Sequence, residues 1–176
     1  MELRLNSTKS LVLSSLLVAL GVILPTLCHV TGTTIPGRLL VPMFFPVMLG
    51  ALMLPLRFVL LTSVLVPVMN HLLKGMPPVP LLWFITAELF IYAAAAYLLR
   101  SRVSQRLCII LSFLAGRASY LAMLLAAVRL MGVNLPDAQY YFLLTAVPMS
   151  VPGIILQTAV IPLIYNKIVM VINSGN

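Results

Sequence analysis

Charge is scarce in this chain, and negative charge most of all. Glu2, Glu88 and Asp137 are its entire acidic complement, and charged residues make up 8% of 176. A water-soluble domain carries about 25%, so a soluble fold with a covered surface is excluded. Three carboxylates with no two adjacent leave little for general acid–base chemistry. Two cysteines and two histidines exclude a disulfide framework and show no zinc-site spacing. Cys28-His29 is one adjacent pair, and His71 has no second metal ligand nearby. His-Glu-x-x-His, Gly-x-Ser-x-Gly and a Gly-rich phosphate loop are all missing. No enzyme, no cofactor and no metal are expected, and any ATP-derived energy must come from a partner. A ring of polar residues along one helix, as a channel needs, is also absent.

What the chain has is apolar length. Hydrophobic residues make up 62%, and mean hydropathy is +1.14. The expectation is an all-α integral membrane protein, a single domain over residues 1–176. Each bilayer helix takes about 20 residues plus a short loop. Hydropathy and punctuation place six spans, at about 10–27, 41–54, 56–73, 81–99, 107–131 and 147–171. The N-terminal stretch resembles a signal peptide, but its apolar run is long and no small-x-small cleavage site precedes a soluble domain. It is read as the first span. The net charge of +8 is read as basic residues flanking spans, because no basic cluster with interleaved aromatics points to nucleic acid.

Prolines punctuate the spans. Pro42, Pro46 and Pro55 bracket the second, Pro77, Pro78 and Pro80 precede the fourth, and Pro148 and Pro152 open the sixth. Proline is tolerated in a first turn, where amide donors lack partners anyway. Irregular backbone at membrane depth is tolerated where it is buried in protein or lines a cavity. Three such entries on one side point to a cavity there. With the N-terminus inside, Arg4, Lys9, Arg57, Arg100, Arg102, Arg106 and Lys167 are cytoplasmic. Arg38, Lys74 and Arg129 are then outside. Seven against three favours both termini inside, and the proline-rich entries then face outward.

Few polar side chains lie within the spans. Glu88 in the fourth and Arg117 in the fifth sit at costly depth, either as a packing ion pair or facing a ligand. Asn70 and His71 either face loop water or touch a ligand, and Gln157 is either interhelical glue or a ligand donor. Phe44, Phe45, Trp83, Phe84, Tyr92, Tyr140 and Tyr141 gather near the outer ends, as an interfacial belt or partly as pocket walls. In the first span, Ser15 and Ala19, with Ser14 and Gly21 beside them, could admit another helix closely, from this chain or from a partner.

Taken in order, several segments resemble the substrate-binding S components of energy-coupling factor (ECF) transporters. They are the small-residue face of the first span, "GRLLVPMFFPVMLGALMLP", "LLKGMPP", "AELFIYA", "AGRASY" and "VPGIILQ". Similar proteins often read Pro-Met-His-Ile-Pro where this chain has Pro-Met-Phe-Phe-Pro, so Phe44 takes the histidine position and makes the pocket less polar. The resemblance implies a six-helix bundle in the cell membrane with an outward-facing ligand pocket. It implies lids between the first and second and between the third and fourth spans. It implies capture of a vitamin or vitamin precursor, and work with a membrane scaffold (T) subunit and two cytoplasmic ATPases. The other readings are a non-transporting membrane scaffold and a small stand-alone secondary transporter. The expected pocket is lined by Phe44, Phe45, Asn70, Trp83, Glu88, Arg117 and Gln157, and the expected partner face carries Ser15 and Ala19.

The charge count generates a topology test. In a background without Cys28 and Cys108, a cysteine replacing Asp137 should react with an impermeant maleimide on intact cells. One replacing Ser104 should react only after permeabilisation. The reverse pattern would invert the orientation.

Overall fold

The computed structural model describes residues 6–29, 35–129, 145 and 148–174. Within them lie α1 (Ser7–His29), α2 (Ile35–Leu40), α3 (Phe44–Met53), α4 (Leu56–Lys74), α5 (Leu81–Leu99), α6 (Gln105–Arg129) and α7 (Val151–Ser174). All of these elements are helical. The stretches α1, α4, α5, α6 and α7 are long and apolar enough to cross a membrane. The expected loop over 132–139, with Asp137, and Tyr140 and Tyr141 lie outside the described residues.

The second expected span is shorter than 41–54. Its helix, α3, has ten residues, hence about 15 Å, half of a roughly 30 Å hydrocarbon core. Both ends have backbone causes. Val41 adopts a left-handed φ of 43°, a conformation that a β-branched residue rarely takes. Pro42 follows it, so α2 and α3 cannot merge into one helix. At the other end, Leu54 is extended, as a residue before proline prefers, and Pro55 opens α4. Part of the expected first loop is itself helical, because Pro36 suits a first helical turn. Nine of the ten α3 residues are buried, so this half-span forms the centre of the bundle. The main hydrophobic core packs Val47, Met48, Ala51 and Leu54 around it with Leu17, Val59, Val66, Leu89 and Ile161.

Cross-helix contacts give the directions. Ser7–Arg57, Ser14–Thr62 and Gly21–Asn70 pair α1 with α4 in parallel. Ala96–Cys108, Glu88–Arg117 and Phe84–Tyr120 pair α5 with α6 in antiparallel fashion. Neither Cys28 nor Cys108 is in a disulfide.

The α1–α4 contact is tight at one place. A Cβ added to Gly21 would stand 2.6 Å from Val66 Cγ2. Four residues on, Pro25 lies inside α1 and lacks the amide that would bond the Gly21 carbonyl. Asn70 Nδ2 donates to that carbonyl at 2.8 Å, and to its own helix at Val66 O at 2.8 Å. Lys74 Nζ donates to Val22 O, to Thr26 Oγ1 and to Asn70 Oδ1. Asn70, read from sequence as facing loop water or a ligand, is buried and replaces a missing helix hydrogen bond. His71 closes the next loop, Nδ1 donating to Pro77 O at 2.8 Å.

A second proline repeats the arrangement. Ala51 O would bond residue 55, which is proline. Arg100 Nη1 donates to Ala51 O at 3.0 Å and to Leu54 O at 2.9 Å. Its guanidinium also lies 4.1 Å over the Tyr97 ring.

The Asn70 bond predicts a specific coupling. Asn70→Leu should cost about 1–3 kcal/mol, the penalty for a buried acceptor left unpaired. In a Pro25→Ala background, residue 25 regains its amide and the same substitution should cost clearly less. Thermal unfolding of the four proteins of this cycle in one detergent measures it. Equal costs in both backgrounds would separate Asn70 from the proline break.

Candidate functional site

The deepest charges in the bundle form one pair. Glu88 is the eighth residue of α5, about 10 Å from that helix's first residue, and Arg117 is midway along α6. Arg117 Nη1 lies 3.0 Å from Glu88 Oε1 and donates to Oε2 at 3.3 Å. Glu88 is 1% exposed and Arg117 6%. The helices come this close because residue 116 is glycine. A Cβ there would press on Glu88 O at 3.3 Å and on Tyr92 Cβ at 3.2 Å.

Aromatic rings surround the guanidinium. Arg117 Cζ lies 4.8 Å from the Phe113 ring centroid, 5.3 Å from Phe44 and 5.9 Å from Tyr120. Cation–π attraction of this kind strengthens where water is excluded. Phe44 and Tyr92 meet edge to face at 5.0 Å, and Phe44 and Phe113 are tilted at 46° with centroids 5.5 Å apart. Phe44 comes from the first turn of α3, which Val41 and Pro42 set apart from α2. So the broken second span delivers one ring into the α5–α6 contact.

The pair is not fully matched. Arg117 Nε and Tyr92 Oη have no hydrogen-bond partner among the described residues, and Glu88 Oε1 has only its ion-pair contact with Arg117 Nη1, which leaves it able to accept a further bond. Glu88 and Tyr92 are four apart on α5 and therefore share a face. The hydroxyls of Ser10 and Ser112 are also unpartnered, but a helical serine can rotate onto a carbonyl of its own preceding turn. A carboxylate, a guanidinium Nε or a phenol has no such local recourse.

Of the seven expected pocket residues, Phe44, Glu88 and Arg117 are brought together. Phe45 is half-buried against the main core. Asn70 is committed to α1, as described above. Gln157 is buried, and its Nε2 donates to Leu40 O at 3.3 Å and Val41 O at 3.2 Å. That amide is glue across the α2–α3 break. It is helped by Gly153, where a Cβ would stand 2.5 Å from Leu39 O. Trp83 is 60% exposed, and five residues place it about 140° around α5 from Glu88. Tyr92, Phe113 and Gly116 were not singled out as site residues. Tyr92 was readable as the α5 position one turn beyond Glu88, and Gly116 as the residue beside Arg117.

The small residues of α1 divide between two faces. Ser14 and Gly21 are buried toward α4, Ser14 Oγ lying 2.9 Å from Thr62 Oγ1. Ser15 and Ala19 are exposed, and Ser15 Oγ donates to Leu11 O. No group of three or more metal-ligating side chains occurs among the described residues.

No curated protein and no solved structure matches the chain significantly. The family model for the substrate-specific component of the ECF transporter matches residues 9–165. With five helices fit to cross a membrane, a deep polar pair and a family match over most of its length, the chain belongs to the substrate-specific components of ECF transporters, which are membrane transport subunits and not enzymes.

Proposed function

We propose that this subunit captures a vitamin or vitamin precursor at the outer face of the cell membrane. It then delivers the cargo inward, with a membrane scaffold (T) subunit and two cytoplasmic ATPases supplied in trans. Both termini are cytoplasmic in this reading. The observation that carries it is the Glu88–Arg117 pair, buried among aromatic rings with polar atoms left unmatched. Small-molecule sites are mostly apolar with a few placed polar groups, and ionisable residues at membrane depth mark functional sites by default.

The substrate site in this proposal opens outward and is centred on Phe44, Glu88 and Arg117. Phe45 lies at its edge and Trp83 at its rim. Asn70 and Gln157 shape it by holding α1, α2 and α3 in place. The scaffold subunit docks on the exposed face of α1 that carries Ser15 and Ala19. Their small side chains let a partner helix approach closely, and Ser15 has already spent its hydroxyl on its own helix.

Two substitutions separate these roles. Glu88→Gln keeps the shape and removes the charge. If Glu88 touches substrate, affinity should fall by about 1.5–3 kcal/mol, the scale of a charge-assisted hydrogen bond, which is roughly 10- to 150-fold in Kd. Binding of cargo extracted from the wild-type subunit, measured on folded variant, checks it. Wild-type affinity would remove Glu88 from the site. Ala19→Trp should abolish uptake and co-purification of the scaffold while sparing binding, through a clash of about 1–3 kcal/mol in a close-packed interface. Loss of binding together with uptake would mean that Ala19 packs within the chain.

A further inference from the structure

The charge balance of the site bears on which cargo it accepts, given the reading just proposed. Glu88 and Arg117 neutralise one another at depth. The other cations whose contacts are described in the bundle are committed elsewhere. Lys74 is held at the α1–α4 end by Val22 O and Thr26 Oγ1, Arg57 donates to Ser7 Oγ, and Arg100 bonds the carbonyls of Ala51 and Leu54. An ionic ligand entering here would bring a charge with no opposite charge left to meet it, the costly case in a low-dielectric interior.

The unmatched atoms have a definite pattern. Glu88 Oε1 can only accept, Arg117 Nε can only donate, and Tyr92 Oη can do either. Oε1 and Nε belong to the two partners of one ion pair, joined through Nη1. Phe44 and Phe113 flank them with ring faces and edges. The contact is rigid, because Gly116 packs directly on the Glu88 carbonyl.

We propose that the cargo is an uncharged, flat heteroaromatic molecule that presents a hydrogen-bond donor beside an acceptor, as a carboxamide or a lactam edge does. The donor meets Glu88 Oε1, and the acceptor meets Arg117 Nε or Tyr92 Oη. The ring lies against Phe44 and Phe113. Selectivity follows from the balance. Such an edge completes two hydrogen-bonding groups without adding charge, whereas a carboxylate or a ring cation must break the pair to be met.

Three probes share one ring and differ in charge: nicotinamide is neutral, nicotinate is an anion and 1-methylnicotinamide is a cation. Their binding to the purified full chain is measured by thermal shift and equilibrium dialysis at neutral pH. Nicotinamide should bind at least about tenfold more tightly than either ion. In Glu88→Gln the preference should move toward nicotinate, and in Arg117→Gln toward 1-methylnicotinamide. A pair that only holds helices together would weaken all three probes alike. If either variant fails to fold, the wild-type ranking decides alone. Preference for an ion, or no binding of any probe, overturns the proposal. Substrate capture is read separately, from uptake and scaffold co-purification with wild-type protein, so the two ideas can fail independently.

Discussion

A backbone carbonyl that loses its helical donor inside a bilayer has no water to turn to, and the fold depends on how this chain answers that constraint. Pro25 removes the donor for Gly21 O, and Asn70 replaces it from α4. Pro55 removes the donor for Ala51 O, and Arg100 replaces it from the C-terminal cap of α5. At the break at Val41–Pro42, Gln157 reaches from α7 to the carbonyl of Leu40, the last residue of α2, and to that of Val41. Each repair joins two helices that are distant in sequence. The prolines thus do more than end helices. Each creates an acceptor that only one neighbouring helix, in one register, can satisfy, and a hydrogen bond formed away from water has no solvent competitor.

Two glycines make the same geometry rigid. Gly21 lets α1 lie on Val66 beside the Asn70 bond, and Gly153 lets α7 lie on Leu39 and Leu40 beside the Gln157 bond. Close backbone approach and a cross-helix donor therefore coincide at both places. The consequence for the site is indirect but strong. Phe44 reaches Tyr92, Phe113 and Arg117 only because α3 starts where the Val41 turn puts it. Gln157, Gly153 and Arg100 hold both ends of that half-span.

Much of the framework was legible in the sequence, because hydropathy and proline positions are letters that can be read directly. The α5 boundaries and the pairing of Glu88 with Arg117 follow from long apolar runs holding very few charges. Less legible were the roles of Asn70 and Gln157. Their partners are backbone carbonyls, which no letter marks. The one available sign was Pro25, four residues after Gly21. Helical phase explains two further differences. Trp83 lies near Glu88 in sequence but well around the helix from it. Ser14 and Ser15 are adjacent, yet one faces α4 and the other faces outward. The α2 helix was hidden because its first four residues, Ile35 to Arg38, read as the end of a polar loop.

The polar groups of the bundle thus fall into two sets with different logic. Asn70, Gln157, Arg100 and Cys108 direct their donors at main-chain oxygens. Their acceptors belong to the fold, so their hydrogen bonds need no ligand. Glu88, Arg117 and Tyr92 are buried too, yet Arg117 Nε and Tyr92 Oη keep no hydrogen-bond partner and Glu88 Oε1 has only its ion-pair contact. A buried polar atom left unmatched costs about 1–3 kcal/mol, and a framework that meets broken backbone so economically elsewhere would not need that expense here for packing alone. The unmatched set is also the one ringed by aromatic side chains and placed by a deliberately broken helix. Under the function proposed above, the hydrogen bonds left open at this aromatic-walled contact are the ones that the cargo completes.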